Sequence, residues 1–340
     1  MKIRKIIWIL VILLFVYGCK GRGGDKYTPT ITSKDIYTGK EGLTMKFFEN
    51  APPDEIFENS VLPIGLRLYN KGAYDVDSGY LSISLEKEYM NLEEDSLKSI
   101  NELVNFEDSE HIRFDLTGKT IEYPKGGTEV ITFIANTKDL SLTDPQSEFH
   151  KSLISITSCY KYQTKAVETV CIDTDVYGFK KREKPCEAGT ITLSSQGAPV
   201  AVTKIESEML PDKDKPDVIK PRFIITVRNI GNGEVVKQEK VEAACSSKSI
   251  TYKEWNSINI KVYVSDISEE NKLDCDIVKE GTHDDGTMIL KQKEDSIRCT
   301  YEKGYSENKG TFASPLYIIL DYGYTDTISQ DVKIKKVVTN

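Results

Sequence analysis

Apolar and polar residues alternate with a period of two along most of this chain. Leu316, Ile318, Leu320, Tyr322 and Tyr324 alternate with more mixed neighbours, as do Val130, Thr132 and Ile134, and Ile260, Val262 and Val264. Successive side chains of a strand point to opposite faces, so the pattern predicts half-buried β-strands. Turn clusters separate the runs: Asn70-Lys71-Gly72, Pro124-Lys125-Gly126-Gly127, Asn229-Ile230-Gly231-Asn232-Gly233 and Asp284-Asp285-Gly286. One stretch differs. From Glu93 to Val104, Leu97, Ile100, Leu103 and Val104 fall on one helical face. A helix is expected there, with Glu93-Glu94-Asp95 supplying its N-terminal charge. Many short strands with regular turns predict an all-β sandwich or barrel.

The strands recur in order. Ile64-Gly65-Leu66-Arg67-Leu68-Tyr69-Asn70-Lys71-Gly72 matches Phe223-Ile224-Ile225-Thr226-Val227-Arg228-Asn229-Ile230-Gly231, 159 positions later. Tyr160-Lys161-Tyr162 leading to Val170-Cys171-Ile172 matches Tyr322-Gly323-Tyr324 leading to Val332-Lys333-Ile334, offset by 162. Two landmarks at nearly one spacing indicate a duplicated domain. The Asn-x-Gly that closes each strand is read as a turn needing positive φ. The stretches from Tyr160 to Val170 and from Tyr322 to Val332 are read as hairpins.

The N-terminus carries a different pattern. Lys2, Arg4 and Lys5 precede an unbroken apolar run from Ile6 to Tyr17, then Gly18-Cys19. Twelve apolar residues are short for a span, and a basic start with a small residue before the break describes a secretory signal. Val16-Tyr17-Gly18-Cys19 resembles a lipobox, which makes Cys19 a candidate lipid attachment site; Tyr17 departs from that pattern. The alternative is an uncleaved anchor helix from Ile3 to Tyr17. Lys20-Gly21-Arg22-Gly23-Gly24-Asp25 follows as a flexible tether. Residues 1–18 are thus a signal peptide or anchor helix and 19–44 a tether. Residues 45–185 and 186–340 are two tandem immunoglobulin-like β-sandwich domains. Everything after the first segment is expected outside the cytoplasm, attached to a membrane.

Charge and cysteines narrow the picture. A net charge of −8 argues against nucleic acid as a partner. Six cysteines remain beside Cys19: Cys159, Cys171, Cys186, Cys245, Cys275 and Cys299. An even count in an exported chain reads as disulfides. No CxxC pair occurs and the three histidines are scattered, so a zinc site is not expected. In the supposed hairpin Cys159 faces Cys171 on the side opposite Ile154, Ile156, Tyr160 and Tyr162, which predicts a bridge. The equivalent positions in the second repeat, Asp321 and Lys333, are expected to form an ion pair. Cys275 and Cys299, 24 apart in strand-like stretches, are candidates for a bridge within the second domain, which would leave Cys186 and Cys245 to join the interdomain segment to it.

Ala51-Pro52-Pro53, Glu58-Asn59-Ser60 and the strand ending Asn70-Lys71-Gly72 with Asp75-Val76 resemble the start of CARDB-type domains. The stretch from Gly197-Ala198-Pro199-Val200 to Asn229-Ile230-Gly231-Asn232-Gly233 is similar. Those are extracellular, adhesion-related immunoglobulin-like modules of bacteria and archaea, and the chain as a whole is similar to archaeal surface lipoproteins. The resemblance implies a binding or scaffold role and brings no catalytic residues.

No catalytic constellation emerges. GxSxG, HExxH and P-loop patterns are missing. His111, His150 and His283 lie in charged stretches and read as surface residues. Asp75/Asp77, Asp173/Asp175 and Asp284/Asp285 are the paired acids on which calcium is conceivable, but none has EF-hand spacing. Solvated loop acids are the plainer reading, and no cofactor is implied. Leu210 to Asp217 reads as a charged hairpin loop. The expected function is non-enzymatic: an anchored surface protein presenting loops to a protein or glycan partner. A carbohydrate- or solute-binding accessory module is the alternative. Tyr27 to Thr32 is extended in character and is a candidate for self-association by strand addition.

Overall fold

A computed structural model describes residues 33–99, 104–106, 111–178, 183–246, 248–277 and 286–337. Cys19, the apolar N-terminal run, Tyr27–Thr32, His283, Asp284 and Asp285 lie outside the described residues.

Strands dominate, as the alternation predicts. The first half of the chain forms β1 (Leu43–Phe47), β2 (Glu55–Phe57), β3 (Val61–Asn70), β4 (Val76–Leu85), β5 (Met90–Leu92), β6 (Lys98–Ser99), β7 (Val104–Phe106), β8 (His111–Leu116), β9 (Thr128–Thr137) and β10 (Phe149–Asp173). The second half forms β11 (Thr190–Thr192), β12 (Val200–Pro211), β13 (Val218–Asn229), β14 (Glu234–Val236), β15 (Ser257–Val264), β16 (Asp274–Ile277), β17 (Thr287–Ile289), β18 (Glu294–Thr300), β19 (Tyr305–Ser306) and β20 (Thr311–Lys335). Short α-helical turns occur at α1 (Ser33–Ile36), α2 (Leu140–Thr143) and α3 (Val241–Ala244).

Three sheets result. A small sheet in the order β1-β3-β9-β5 belongs to the first half, and another in the order β11-β12-β13-β18-β16 belongs to the second. Both share one hydrophobic core with a nine-stranded sheet, β17-β15-β20-β10-β4-β8-β7, to which both halves contribute. The described part is therefore an all-β body of sandwiched sheets in which the halves are joined by a common layer. The cause is the length of β10 and β20. Each runs 25 residues without a break, and they pair antiparallel from Phe149↔Lys335 to Asp173↔Thr311.

This corrects the two hairpins expected at Tyr160–Val170 and Tyr322–Val332. Gln163 to Thr169 and Thr325 to Asp331 contain no glycine or proline, and each stretch has a partner strand to extend along. The parity of β10 holds: Ile154, Ile156, Tyr160 and Tyr162 are buried on one face. The helix expected over 93–104 does not form in its described residues. Glu94–Ser96 is a single 3-10 turn, and Lys98–Ser99 and Val104–Phe106 pair with β9 and β8.

Residues 33–42, read as tether, are also packed. Gly39 N–H donates to Ser195 Oγ at 3.2 Å, Gly197 N–H to Gly39 O at 3.1 Å, and Lys71 N–H to Gly42 O at 2.9 Å.

Candidate functional site

The halves meet around a duplicated clamp. Register places Tyr160 opposite Tyr324 and Tyr162 opposite Tyr322. A shift of 162 positions exchanges the two pairs, so an approximate two-fold axis passes through the Lys161↔Gly323 pair. All four rings are buried, with neighbouring centroids 5.4–6.5 Å apart. Tyr162 Oη donates to Asn70 Oδ1 at 3.2 Å, which also accepts from Gly72 N–H at 3.2 Å. Tyr324 Oη donates to Asn229 Oδ1 at 3.2 Å, which accepts from Gly231 N–H at 3.1 Å. Each asparagine amide then donates to the backbone four residues on, Tyr74 O and Gly233 O. Every polar atom of the clamp has a partner, as burial requires. Burial pushes the Tyr160 and Tyr322 phenols well above their ordinary range.

The Asn-x-Gly repeat is thereby explained, and its expected reason corrected. Neither Gly72 nor Gly231 adopts positive φ. A Cβ on Gly72 would run into the Tyr162 hydroxyl, and one on Gly231 into the Tyr324 hydroxyl. Glycine is needed for the close approach of a phenol.

All six cysteines are bridged, in the pairs Cys159–Cys245, Cys171–Cys186 and Cys275–Cys299. The expected Cys159–Cys171 and Cys186–Cys245 pairs are replaced. Because no hairpin forms, Cys171 lies 12 positions along the same strand from Cys159. Cys159 does leave the core side of β10, where α3 and Trp255 of the second half cover it. Asp321 and Lys333 also find other partners: Lys261 at 2.9 Å and Glu55 at 3.3 Å.

Beside the clamp lies a surface with exposed aromatic side chains. Tyr37 follows α1, is 47% exposed, and sits 6.1 Å from the Tyr74 ring. Tyr74 Oη accepts from Lys165 N–H at 2.8 Å and packs edge-on to Tyr162, tying a first-half loop to β10. One groove of about 950 Å³ is lined by Tyr37, Tyr74, Lys119, Ile121 and Tyr123 among others. A second, of about 620 Å³, runs from Tyr37 along Lys165–Glu168 to Thr192–Gln196. Ile121, Tyr123 and Val167 are each more than half exposed. Partial burial draws the Lys119 ammonium below its ordinary value; Glu41 opposes this and Lys71 adds to it.

No family model matches the chain. No curated protein matches it either. Among solved structures it is similar to a cohesin module of a Clostridium perfringens family 33 glycoside hydrolase, at 17% identity and a TM-score of 0.23, over 35% of this chain and 81% of that one. A type I cohesin from a Clostridium thermocellum cohesin–dockerin complex gives 15%, 0.23, 36% and 83%. A DUF4466 family protein from Parabacteroides merdae gives 9%, 0.20, 82% and 99%. Likenesses of this size carry no argument about function.

The chemistry around the grooves is that of contact. Among the described residues no three His, Cys, Asp or Glu side chains gather to hold a metal ion. The paired acids brace loops: Asp75 accepts from Gly118 N–H at 2.6 Å, and Asp173 holds Lys184 and Thr311. His150 stacks on Tyr89 and meets Glu86 at 2.8 Å, while His111 is half-buried on β8. The Leu210–Asp217 loop closes the β12–β13 hairpin, with Asp212 bound to Lys220 at 2.5 Å. Sequence reasoning passed over Tyr37, Tyr74, Ile121 and Tyr123. The available signal was apolar residues in turn-rich stretches, outside any alternating run.

Proposed function

We propose that this protein is a membrane-anchored, extracytoplasmic interaction protein, non-catalytic, whose two immunoglobulin-like halves present their junction to a surface protein. The observation that supports this reading most is the exposed aromatic and aliphatic rim of the larger groove: Tyr37, Ile121 and Tyr123. Aromatic side chains at a rigid, solvent-facing rim are the usual anchors of protein interfaces. Three disulfides accord with an oxidising, extracytoplasmic compartment.

The test is affinity capture from native envelope with the full chain and with Ile121→Asp. Retention of the partner is expected to fall at least tenfold; equal capture by both proteins would sink the reading. The same tyrosines also support a glycan-binding accessory module, since phenol rings stack on sugar faces. A sugar subsite would lose binding with Tyr123→Ala and keep it with Ile121→Asp.

A further inference from the structure

The three disulfides differ in how closely a thiol can approach them. Cys275 and Cys299 are part of the main core, and Cys159 and Cys245 form a smaller cluster against which Trp255 packs. All four are at most 8% exposed. Cys171 and Cys186 belong to neither cluster. Cys171 faces away from the core, between Val170 and Ile172 that point into it, and Cys186 is half-buried. A cleft of about 200 Å³ is lined by both cysteines. Glu187, Gly189, Thr190 and Ala313 on its walls are exposed, and a Cβ on Gly189 would meet nothing within 4 Å. The cleft is therefore open to solvent with a disulfide in its lining.

The bridge holds one wall of the smaller groove. Cys186 precedes β11, a three-residue edge strand that pairs with β12 alone among the described strands. Thr192–Gln196 follow and form one side of the groove, and Lys165–Glu168 of β10 form the other. Cys171 lies just beyond Glu168 on β10, so the bridge ties the two sides together at that end. At the other end Thr164 Oγ1 donates to Val200 O at 2.7 Å. Between these ties the wall rests on backbone bonds to β12, such as Leu193 N–H to Thr203 O at 2.9 Å.

We infer that Cys171–Cys186 is a thiol-exchange site for a dithiol reductant, and that opening it frees the β11 side of the smaller groove. A thiolate of the dithiol attacks Sγ of Cys186, the more exposed cysteine. The S–S bond breaks, and Cys171 Sγ leaves as a thiolate that takes up a proton. The second thiol of the reductant then displaces Cys186 from the mixed disulfide. Two electrons have passed to the bridge, leaving two thiols on the protein and a disulfide on the reductant. Exchange requires access for the attacking thiolate, which packing denies to the other two bridges. With the covalent tie gone, β11 keeps only its short pairing to β12, and an edge strand of that length opens locally at small cost. The exchange needs no ligand in either groove, so it stands or falls apart from the interaction role.

The probe is dithiothreitol at low concentration on the full chain in detergent, with alkylation at intervals and peptide mass mapping. Cys171 and Cys186 are expected to be alkylated at least tenfold faster than the other four cysteines. Once those two alone have reacted, amide exchange over Thr190–Leu193 should be at least fivefold faster than in the oxidised chain, with β18 unchanged. Access is tested separately. Ala313 lies directly opposite Cys171 on β20, where facing side chains are about 5 Å apart. Ala313→Phe keeps the bridge, sets a ring beside it, and should slow its opening at least fivefold. If the three bridges open together, if another opens first, or if Ala313→Phe opens as fast as the wild type, the exchange site falls. If Cys171–Cys186 opens first and the Thr190–Leu193 amides exchange no faster, the release of the groove wall falls.

Discussion

The two halves carry the same clamp and close their sheets differently. In each, a tyrosine from a long strand donates to an asparagine whose oxygen also holds a glycine N–H. In each, a short strand flanks the long one at matching positions, β4 on Ile154–Tyr160 and β15 on Leu316–Asp321. The first half folds β2 onto the end of β20, whereas the second lays α3 and Trp255 over the outer face at the axis and fixes them through Cys245. The buried polar network is the same in both halves, where a lost partner would strand several groups at once. The covers differ, since either one removes apolar surface from water.

The largest expected effect breaks the second half's cover. The Cys159–Cys245 bridge spans 86 residues. The double variant Cys159→Ala/Cys245→Ala should lose about 4.5 kcal/mol by loop entropy. Removing Cys171–Cys186, which spans 15, should cost about 3 kcal/mol. Denaturant titration reads both, and equal losses would contradict the ordering. Next comes the clamp itself. Gly72→Ala and Gly231→Ala should each destabilise by about 2–3 kcal/mol, as overpacking does. Gly72 should be the worse, since its Cβ would also press on Gly197 O and Glu41 O. Thermal melts that show neither variant destabilised would remove the close-approach explanation.

Much of this was legible in the sequence. The alternation located most strands, the repeat located the tyrosines and the asparagines, and the even count marked the six cysteines as bridged. What stayed hidden was decided far away along the chain. Gln163–Thr169 lacks glycine and proline and is a poor turn, but what carries it on as a strand is a partner at 315–321, which the local sequence does not show. The partner of Cys159 was hidden for the same reason. Its face was read correctly, but the element covering that face comes from the other half. The junction grooves are assembled from α1, two loops and an edge, none of which has a periodic signature.

Smaller effects sharpen the comparison. Tyr162→Phe removes the bond to Asn70 and a longer one from Tyr74 N–H, and Tyr324→Phe the bond to Asn229, and each should cost about 1 kcal/mol. Nearly equal losses in chemical denaturation would confirm that the clamps are equivalent; a twofold difference would not. Smallest are the pH responses. Burial raises the Tyr160 and Tyr322 phenols in the fold, so their contribution is complete below about pH 10 and is lost as the pH rises beyond it. This loss falls on the axis and should unfold both halves together. On the acid side, Lys220 and nearby backbone N–H groups hold Asp212 at about 2, and Lys240 and Thr251 do the same for Glu254. Those contributions are present above about pH 4 and fade as the pH falls toward 2. Both groups lie in the second half, but Glu55, Glu86, Asp139 and Asp173 of the first half are also held below their ordinary range, so acid should loosen both halves slightly. Amide exchange resolved along the chain distinguishes these patterns.

The shared ladder also sets an order in time. The first half's part of the large sheet includes Tyr324 to Lys335, among the last described residues. A growing chain that has not yet reached Tyr324 holds a first half with a strand missing: Phe149–Tyr160 has no partner on the β20 side, and β2 has no strand to join. Neither half can finish before the other, and the whole body reaches its native form in one late step. A chain truncated before Tyr324 should therefore be digested by protease across both halves, while protection of the first half alone would show that it completes early.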